Sequence, residues 1–123
     1  MMLRVDRGWL LDIAHQFLPA DPDVTDYGTL AAAVARHVDE VMDVPVYGAV
    51  NQRAAALMHQ LVRVPALEFA NEQFASVVAA SYLSAAGVIV TAEPKQAVEL
   101  ASRIRDGQAD IRDTATVIRT WYR

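Results

Sequence analysis

The feature that most constrains the fold of this chain is its longest apolar stretch, residues 74–90. The stretch contains no charged residue and is interrupted only by Gly87 and by the serines Ser76, Ser81 and Ser84. It is shorter and more polar than a segment that crosses a bilayer, and a helix that is apolar on nearly every side is typical of a protein core. The stretch therefore predicts a central, buried helix in a globular domain.

The composition favours a single all-α domain. Alanine supplies much of the 54% hydrophobic content, whereas glycine and proline occur only five times each. Alanine loses no side-chain entropy in a helix, and 123 residues are enough to bury one core. We therefore expect one domain, residues 1–123, built as a compact helical bundle.

Charge and cysteine content exclude several classes of function. The net charge of −4 is spread along the chain without a basic stripe, so direct nucleic-acid binding is not expected. The absence of cysteine excludes disulfides, thiol catalysis and zinc–thiolate sites. Arg4, Asp6 and Arg7 interrupt any apolar run near the start of the chain, so we expect no signal peptide, no membrane span and a cytoplasmic location.

Periodic apolar residues predict about six helices joined by short connections. Asp6, Asn71 and Asp110 are suitable N-caps, because their side chains can accept hydrogen bonds from the first turn. Phe17 and Val41 are expected on the buried faces of the first and second helices. The predicted helices cover residues 6–18, 26–42, 51–64, 71–86, 94–107 and 110–121.

Three segments carry a family resemblance. Residues 26–33 read Asp-Tyr-Gly-x-Leu-x-x-Ala, residues 53–59 read Arg-Ala-Ala-Ala-Leu-Met-His, and residues 81–87 read Ser-Tyr-Leu-Ser-Ala-Ala-Gly. In their order and spacing these segments resemble the Doc-type toxins of the Fic superfamily, which belong to death-on-curing toxin–antitoxin pairs. The similarity covers nearly the whole chain, and it implies a Fic/Doc-like helical bundle with a buried central helix.

The connection between the third and fourth predicted helices occupies the place of that family's catalytic loop. The family signature is His-x-Phe-x-x-(Gly/Ala)-Asn-(Lys/Gly)-Arg, in which the histidine is a general base and the later residues hold phosphates. Aligned on Ala70 and Asn71, this chain has Pro65 in place of the histidine and Glu72 in place of the lysine. Gln73 stands in place of the arginine and cannot supply its charged, bidentate contact. The general base and the arginine of the motif are therefore absent.

The resemblance implies a toxin component whose nucleotidyl- or phosphoryl-transfer site is eroded or altered. If the site is active, it would transfer AMP or phosphate from ATP, with Mg²⁺, to a hydroxyl of a translation factor such as elongation factor Tu. The implied partner is a small, Phd-like antitoxin whose C-terminal segment folds over the bundle. The alternative is a catalytically inactive pseudoenzyme that acts by protein–protein binding. A third interpretation is an unrelated helical adaptor.

Three residues near this connection are weak catalytic candidates. His59 is a candidate replacement base, although its position six residues before Pro65 places it largely on another face of the helix. Glu68 and Glu72 are candidates for an acid–base pair or for divalent-ion ligands. Two carboxylates without a third ligand are more typical of a solvated first helical turn, so no metal site is predicted.

Two further groups of residues are candidates for binding. Ala70, Asn71 and Gln73 are candidate phosphate-binding residues, with a purely structural N-cap as the alternative for Asn71. The other group, Pro45, Val46 and Tyr47, occupies the place of the family's target-binding loop, where Tyr47 is either a target anchor or an aromatic residue at the edge of the core. His15 and His37 are expected to be structural or solvated.

Overall fold

The computed structural model describes residues 2–123, which form six α-helices and one short antiparallel hairpin around a single hydrophobic core. The prediction of an all-α bundle with about six helices is confirmed. The elements in chain order are α1 (Arg7–Phe17), α2 (Tyr27–His37), β1 (Glu40–Val41), β2 (Val44–Pro45), α3 (Val50–Arg63), α4 (Asn71–Ala85), α5 (Pro94–Arg105) and α6 (Ile111–Arg119).

Two helices share the centre of the bundle. The helix expected there, α4, packs against α1, α3 and α5, whereas α3 packs against α2, α4, α5 and α6. The consecutive residues Ala54, Ala55 and Ala56 of α3 are fully buried, since small side chains let neighbouring helices approach from several sides. The buried centre is therefore a helix pair rather than α4 alone.

Aspartate caps begin two of the helices as predicted. The Asp6 carboxylate accepts a hydrogen bond from the Trp9 N–H at 2.8 Å, and the Asp110 carboxylate accepts one from the Asp113 N–H at 2.8 Å. The Asp113 carboxylate in turn accepts a hydrogen bond from the Asp110 N–H at 3.1 Å, which completes a reciprocal capping box. These caps satisfy N–H groups that the first turn of a helix leaves without partners.

The second helix is shorter than predicted. The helix α2 ends at His37 instead of reaching Met42, and the residues that follow form the hairpin, in which Val41 pairs with Val44. Met42 and Asp43 have φ angles of 52° and 66°, the left-handed conformation that a two-residue hairpin turn requires. The prediction was wrong because valines placed around a tight turn reproduce the helical spacing of apolar residues.

Two residues predicted to face the core are exposed instead. Val41 exposes 62% of its surface because it lies in the hairpin, and Phe17 exposes 48%. The backbone leaves helical geometry at Leu18, the C-cap of α1, and Leu18 is buried in place of Phe17.

Candidate functional site

The loop between α3 and α4, residues 64–70, is the segment that resembles a catalytic loop, and we call it the motif loop. The Ala66 carbonyl accepts hydrogen bonds from the N–H groups of Thr25, at 2.8 Å, and Asp26, at 3.1 Å. Ala66 and Leu67 are buried in the core. Backbone hydrogen bonds therefore hold the motif loop against the segment that precedes α2.

Asn71 stabilises the motif loop from inside. Its side-chain Oδ1 accepts hydrogen bonds from the N–H groups of Ala66, at 3.1 Å, and Leu67, at 2.9 Å, and its Nδ2 donates to the Leu67 carbonyl at 2.9 Å. The prediction that Asn71 is the N-cap was wrong, because Ala70 occupies that position with a left-handed φ of 63°. The amide of Asn71 is therefore engaged with the loop backbone, and no side chain caps the first turn of α4.

The two candidate carboxylates have separate partners. Glu68 Oε1 accepts a hydrogen bond from the Asp23 N–H at 3.0 Å. Glu72 forms an ion pair with Arg105, whose Nη1 lies 3.1 Å from Glu72 Oε2. The hydrogen bond to Asp106, which has the larger effect, and the hydrogen bond to Glu72 raise the pKa of Arg105 above its ordinary value. Within residues 2–123, no group of three or more histidines and carboxylates is arranged to hold a metal ion.

Gln73 lines an apolar groove of about 680 Å³ between α4 and α5. Glu72 lies beside it, and the groove wall includes Val77, Ala97 and the buried Trp121. The position that holds arginine in the family motif therefore carries an exposed neutral amide, next to a carboxylate that is paired with Arg105.

His59 lies half-buried on α3, where its side chain contacts Arg36 of α2. Its Nδ1 is 3.3 Å from Nη1 of Arg36. Burial lowers the pKa of His59 below 6.5, the charges of Arg36 and Arg63 lower it further, and Asp110 opposes them. The imidazole is therefore neutral at pH 7.

The contact with Arg36 also assigns the tautomer of His59. A guanidinium has only donors, so the His59 Nδ1 must be the acceptor, and the ring proton is on Nε2. In this arrangement the free nitrogen of His59 is a hydrogen-bond donor rather than a base. The geometry thus argues against His59 as a replacement for the missing catalytic histidine.

Tyr47 connects the end of the hairpin to two helices. Its hydroxyl accepts a hydrogen bond from Arg36 Nε at 3.4 Å, and its carbonyl accepts one from Arg53 Nη1 at 3.2 Å. Arg53 is buried and also donates to the Gly48 carbonyl, at 2.9 Å, and to the Tyr82 hydroxyl, at 2.8 Å. Tyr47 is therefore half-buried at the edge of the core, where it positions the hairpin.

The hairpin itself presents apolar side chains to solvent. Met42 at the turn exposes 92% of its surface, and Val41 and Val44 expose 62% and 64%. Val46, one of the candidate target-binding residues, exposes 43%, while Pro45 is half-buried in β2. Of the three candidates in this segment, Val46 is thus the most accessible, and the hairpin turn before it is more accessible still.

The other two histidines have structural contacts or solvent exposure. His37 is buried; its Nε2 accepts a hydrogen bond from the Val5 N–H at 3.1 Å, and its Nδ1 contacts the Val34 carbonyl. Burial lowers the pKa of His37. His15 is exposed and lies 3.2 Å from Asp21.

Four residues that distinguish this region were not predicted from the sequence. Arg36 and Arg53 are oriented by hydrogen bonds to Tyr47, and Val41 and Met42 form the exposed turn. The sequence signal for the turn was the Asp43 that follows Met42, because Asp tolerates left-handed geometry. The two arginines gave no local signal, since their contacts depend on the packing of α2 against α3.

Comparison with known proteins adds no identification: no protein-family model matches this chain, and no curated protein matches it. The resemblance to Fic/Doc proteins therefore stays a prediction based on motif order and spacing. No helix in residues 2–123 has the length and apolar character needed to cross a membrane.

Proposed function

We propose that this chain is a Fic/Doc-like toxin-type domain that acts by protein–protein binding through its hairpin, rather than by transferring a group from a nucleotide. The observation that carries this proposal is the exposure of three apolar side chains, Val41, Met42 and Val44, around one tight turn. Clustered exposed apolar residues on a short two-stranded element favour association, because a partner removes them from water and can extend the sheet.

The charges near the hairpin define the kind of partner. Asp39, Glu40 and Asp43 surround the exposed valines, and Glu40 makes only a 3.5 Å contact with Arg4. An acidic rim around an apolar turn favours an apolar segment flanked by lysine or arginine, because opposite charges steer association. A Phd-like antitoxin or a translation factor with such a segment fits this chemistry.

The motif loop supports the non-catalytic half of the proposal. Pro65 carries no titratable group, and the Asn71 amide is bonded to the loop backbone. Loss of a general base alone typically reduces a rate by ~10²–10⁴. The positions that would hold phosphate carry Glu72 and the neutral Gln73.

The test is growth inhibition when the chain is expressed in bacteria, with and without a co-expressed candidate antitoxin. We expect the double variant Val41→Asp/Met42→Asp to lose the inhibition and the variant Glu72→Gln/Gln73→Ala, in the first turn of α4 beside the motif loop, to keep it. Val98→Asp is the matched control, because Val98 exposes 60% of its surface on α5, close to the 62% of Val41. Inhibition that depends on Glu72 and Gln73 and not on the hairpin would favour group transfer, and a harmless wild-type chain would contradict the toxin proposal.

A toxin that transfers AMP or phosphate from ATP is the second candidate function. Two observations favour it: Ala70 adopts the left-handed geometry of a backbone nest, and the first turn of α4 has no side-chain cap. Calorimetric titration with ATP, with and without Mg²⁺, tests it directly. Micromolar binding that strengthens in Gln73→Arg would support transfer chemistry, and no binding up to about millimolar ATP would leave protein binding as the function.

A further inference from the structure

We propose that Arg36 forms a binding site for an oxyanion, a phosphate or carboxylate group of a small ligand, between the end of α2 and the hairpin. This site is separate from the motif loop and does not depend on the hairpin's protein partner. Its elements are the guanidinium of Arg36 and the side chains of Tyr47 and His59, which hold that guanidinium in place.

The guanidinium of Arg36 is oriented without being neutralised. Its Nε donates to the Tyr47 hydroxyl at 3.4 Å, and its Nη1 donates to His59 Nδ1 at 3.3 Å. Both acceptors are uncharged, and Arg36 forms no ion pair with any carboxylate in residues 2–123. Arginine has five N–H donors, so Nη2 and one N–H of Nη1 remain for an anion, in the fork that binds two oxygens at once.

Two further arginines lie near the contacts that Arg36 makes with Tyr47 and His59. Arg53, buried and also without an ion pair among the described residues, donates to the carbonyl of the same Tyr47 whose hydroxyl contacts Arg36. Arg63 donates instead to the carbonyls of Ile104, at 3.3 Å, and Arg105, at 3.2 Å, and its charge is one of those that lower the pKa of His59. The carboxylates of the neighbouring hairpin, on Asp39, Glu40 and Asp43, belong to exposed residues, and Glu40 lies 3.5 Å from Arg4 rather than against Arg36. A bound anion would offset the desolvation of a half-buried guanidinium.

A purely structural role for Arg36 would require only its positive charge, not the shape of its guanidinium. Arg36 lies in the last turn of α2, where any positive charge stabilises the helix through its dipole. That role needs charge but not the planar fork. Lysine at position 36 would preserve the dipole interaction while removing the bidentate contact, so Arg36→Lys separates the two roles.

The experiment is calorimetric titration of the purified chain with inorganic phosphate and, separately, with acetate, at constant ionic strength. We expect binding that weakens about tenfold or more in both Arg36→Gln and Arg36→Lys, because each removes the fork. Arg112→Gln is the control: Arg112 is an exposed arginine on α6, and the variant makes the same charge change, so its affinity should stay within about twofold of wild type. Tighter binding of phosphate than acetate favours a phosphoryl ligand, and tighter binding of acetate favours a carboxylate ligand.

Three outcomes would contradict the proposed site. The first is that the folded wild-type chain binds neither anion up to about 50 mM. The others are that Arg36→Lys keeps the full affinity of the wild type, or that Arg112→Gln loses as much affinity as the Arg36 variants. A second readout requires no variant. During phosphate titration of the wild type, the imidazole NMR signals of His59 should shift because its ring contacts Arg36, whereas those of the exposed His15 should move little. Equal shifts for both rings would indicate non-specific binding and reject the site.

Discussion

The motif loop and the hairpin region use their side chains in opposite ways. In and beside the motif loop, the Asn71 amide, the Glu68 carboxylate and the Glu72 carboxylate all have partners within the protein. Around the hairpin, the Met42 side chain is almost fully exposed, and the Arg36 guanidinium has no carboxylate partner among residues 2–123. The polar groups in and beside the motif loop thus stabilise the fold. The hairpin region, in contrast, has an exposed apolar side chain and unused guanidinium donors, which are accessible to a ligand or a partner.

This contrast separates two kinds of polar residue. A buried group that is hydrogen-bonded within the protein is costly to remove, since its partners lose their hydrogen bonds without regaining water. A group that is oriented but has unused donors costs less to remove and is available to a ligand. Substitutions in the two regions should therefore have opposite profiles, with large effects on stability in the motif loop and large effects on binding at the hairpin.

The largest effect on stability is expected for Asn71→Ala. The substitution leaves the N–H groups of Ala66 and Leu67, both in buried residues, without their acceptor, so we expect a loss of about 2–4 kcal/mol in the free energy of unfolding. Urea denaturation measures it. Gln73→Ala, an exposed neighbour, is the control and should change stability by less than about 0.5 kcal/mol. Equal stabilities for the two variants would remove the structural role assigned to Asn71.

Acidification should give the next largest effect, through His37. Its pKa in the folded chain lies below the ordinary value of 6.5, because burial disfavours the charged ring. The unfolded chain therefore binds the proton more readily, so this stabilisation is present above about pH 6.5 and is lost as the pH falls below it. One such group contributes a slope of at most ~1.4 kcal/mol per pH unit. His59 acts in the same direction, since its pKa is also lowered.

Urea denaturation at several pH values, together with NMR titration of the imidazoles, checks this expectation. Stability should fall between pH 7 and pH 5, and the His37 ring should remain neutral in the folded chain at pH values where a histidine in a short peptide is protonated. Stability that rises on acidification would contradict the assignment of His37 as a buried, neutral acceptor for the Val5 N–H.

The sequence was sufficient to predict the helices, because their signals are local. Asp6 and Asp110 are N-caps as expected, and the apolar segment that begins near Phe74 forms a helix at the centre of the bundle. Helical periodicity failed at the end of α1, where Leu18 is buried in place of Phe17, and after His37, where a turn with two left-handed residues, Met42 and Asp43, replaced the predicted helix end.

The candidate site was harder to predict, because its contacts join distant parts of the chain. Asn71 was expected to cap its own helix, but its side chain instead bonds to the Ala66 and Leu67 backbone, a choice that depends on how the motif loop closes. Arg36 and His59 are 23 residues apart and meet only when α2 packs against α3. No spacing within either helix indicates that contact.

A smaller effect is expected at Ala70, where the change should stabilise the chain. Ala70 has a left-handed φ of 63°, which costs a residue with a β-carbon about 1–2 kcal/mol, while glycine adds some entropy to the unfolded chain. We therefore expect Ala70→Gly to stabilise the fold by about 0.5–1 kcal/mol. The control, Ala32→Gly in the exposed middle of α2, should instead destabilise by about 1 kcal/mol. A loss of stability in Ala70→Gly would show that the motif loop is not held in this geometry.

The smallest effect on stability, and the sharpest test of the contrast, is expected at the hairpin. Val41→Thr with Met42→Gln replaces two exposed apolar side chains by polar ones of similar size. The free energy of unfolding should therefore change by less than about 0.5 kcal/mol. If the hairpin binds a partner, the same variant should weaken that binding, because the apolar surface buried in the complex is reduced. A matched Val98→Thr variant on α5 should leave both stability and binding unchanged. A large loss of stability in the hairpin variant would mean that these side chains support the fold, and the opposition between the two regions would no longer hold.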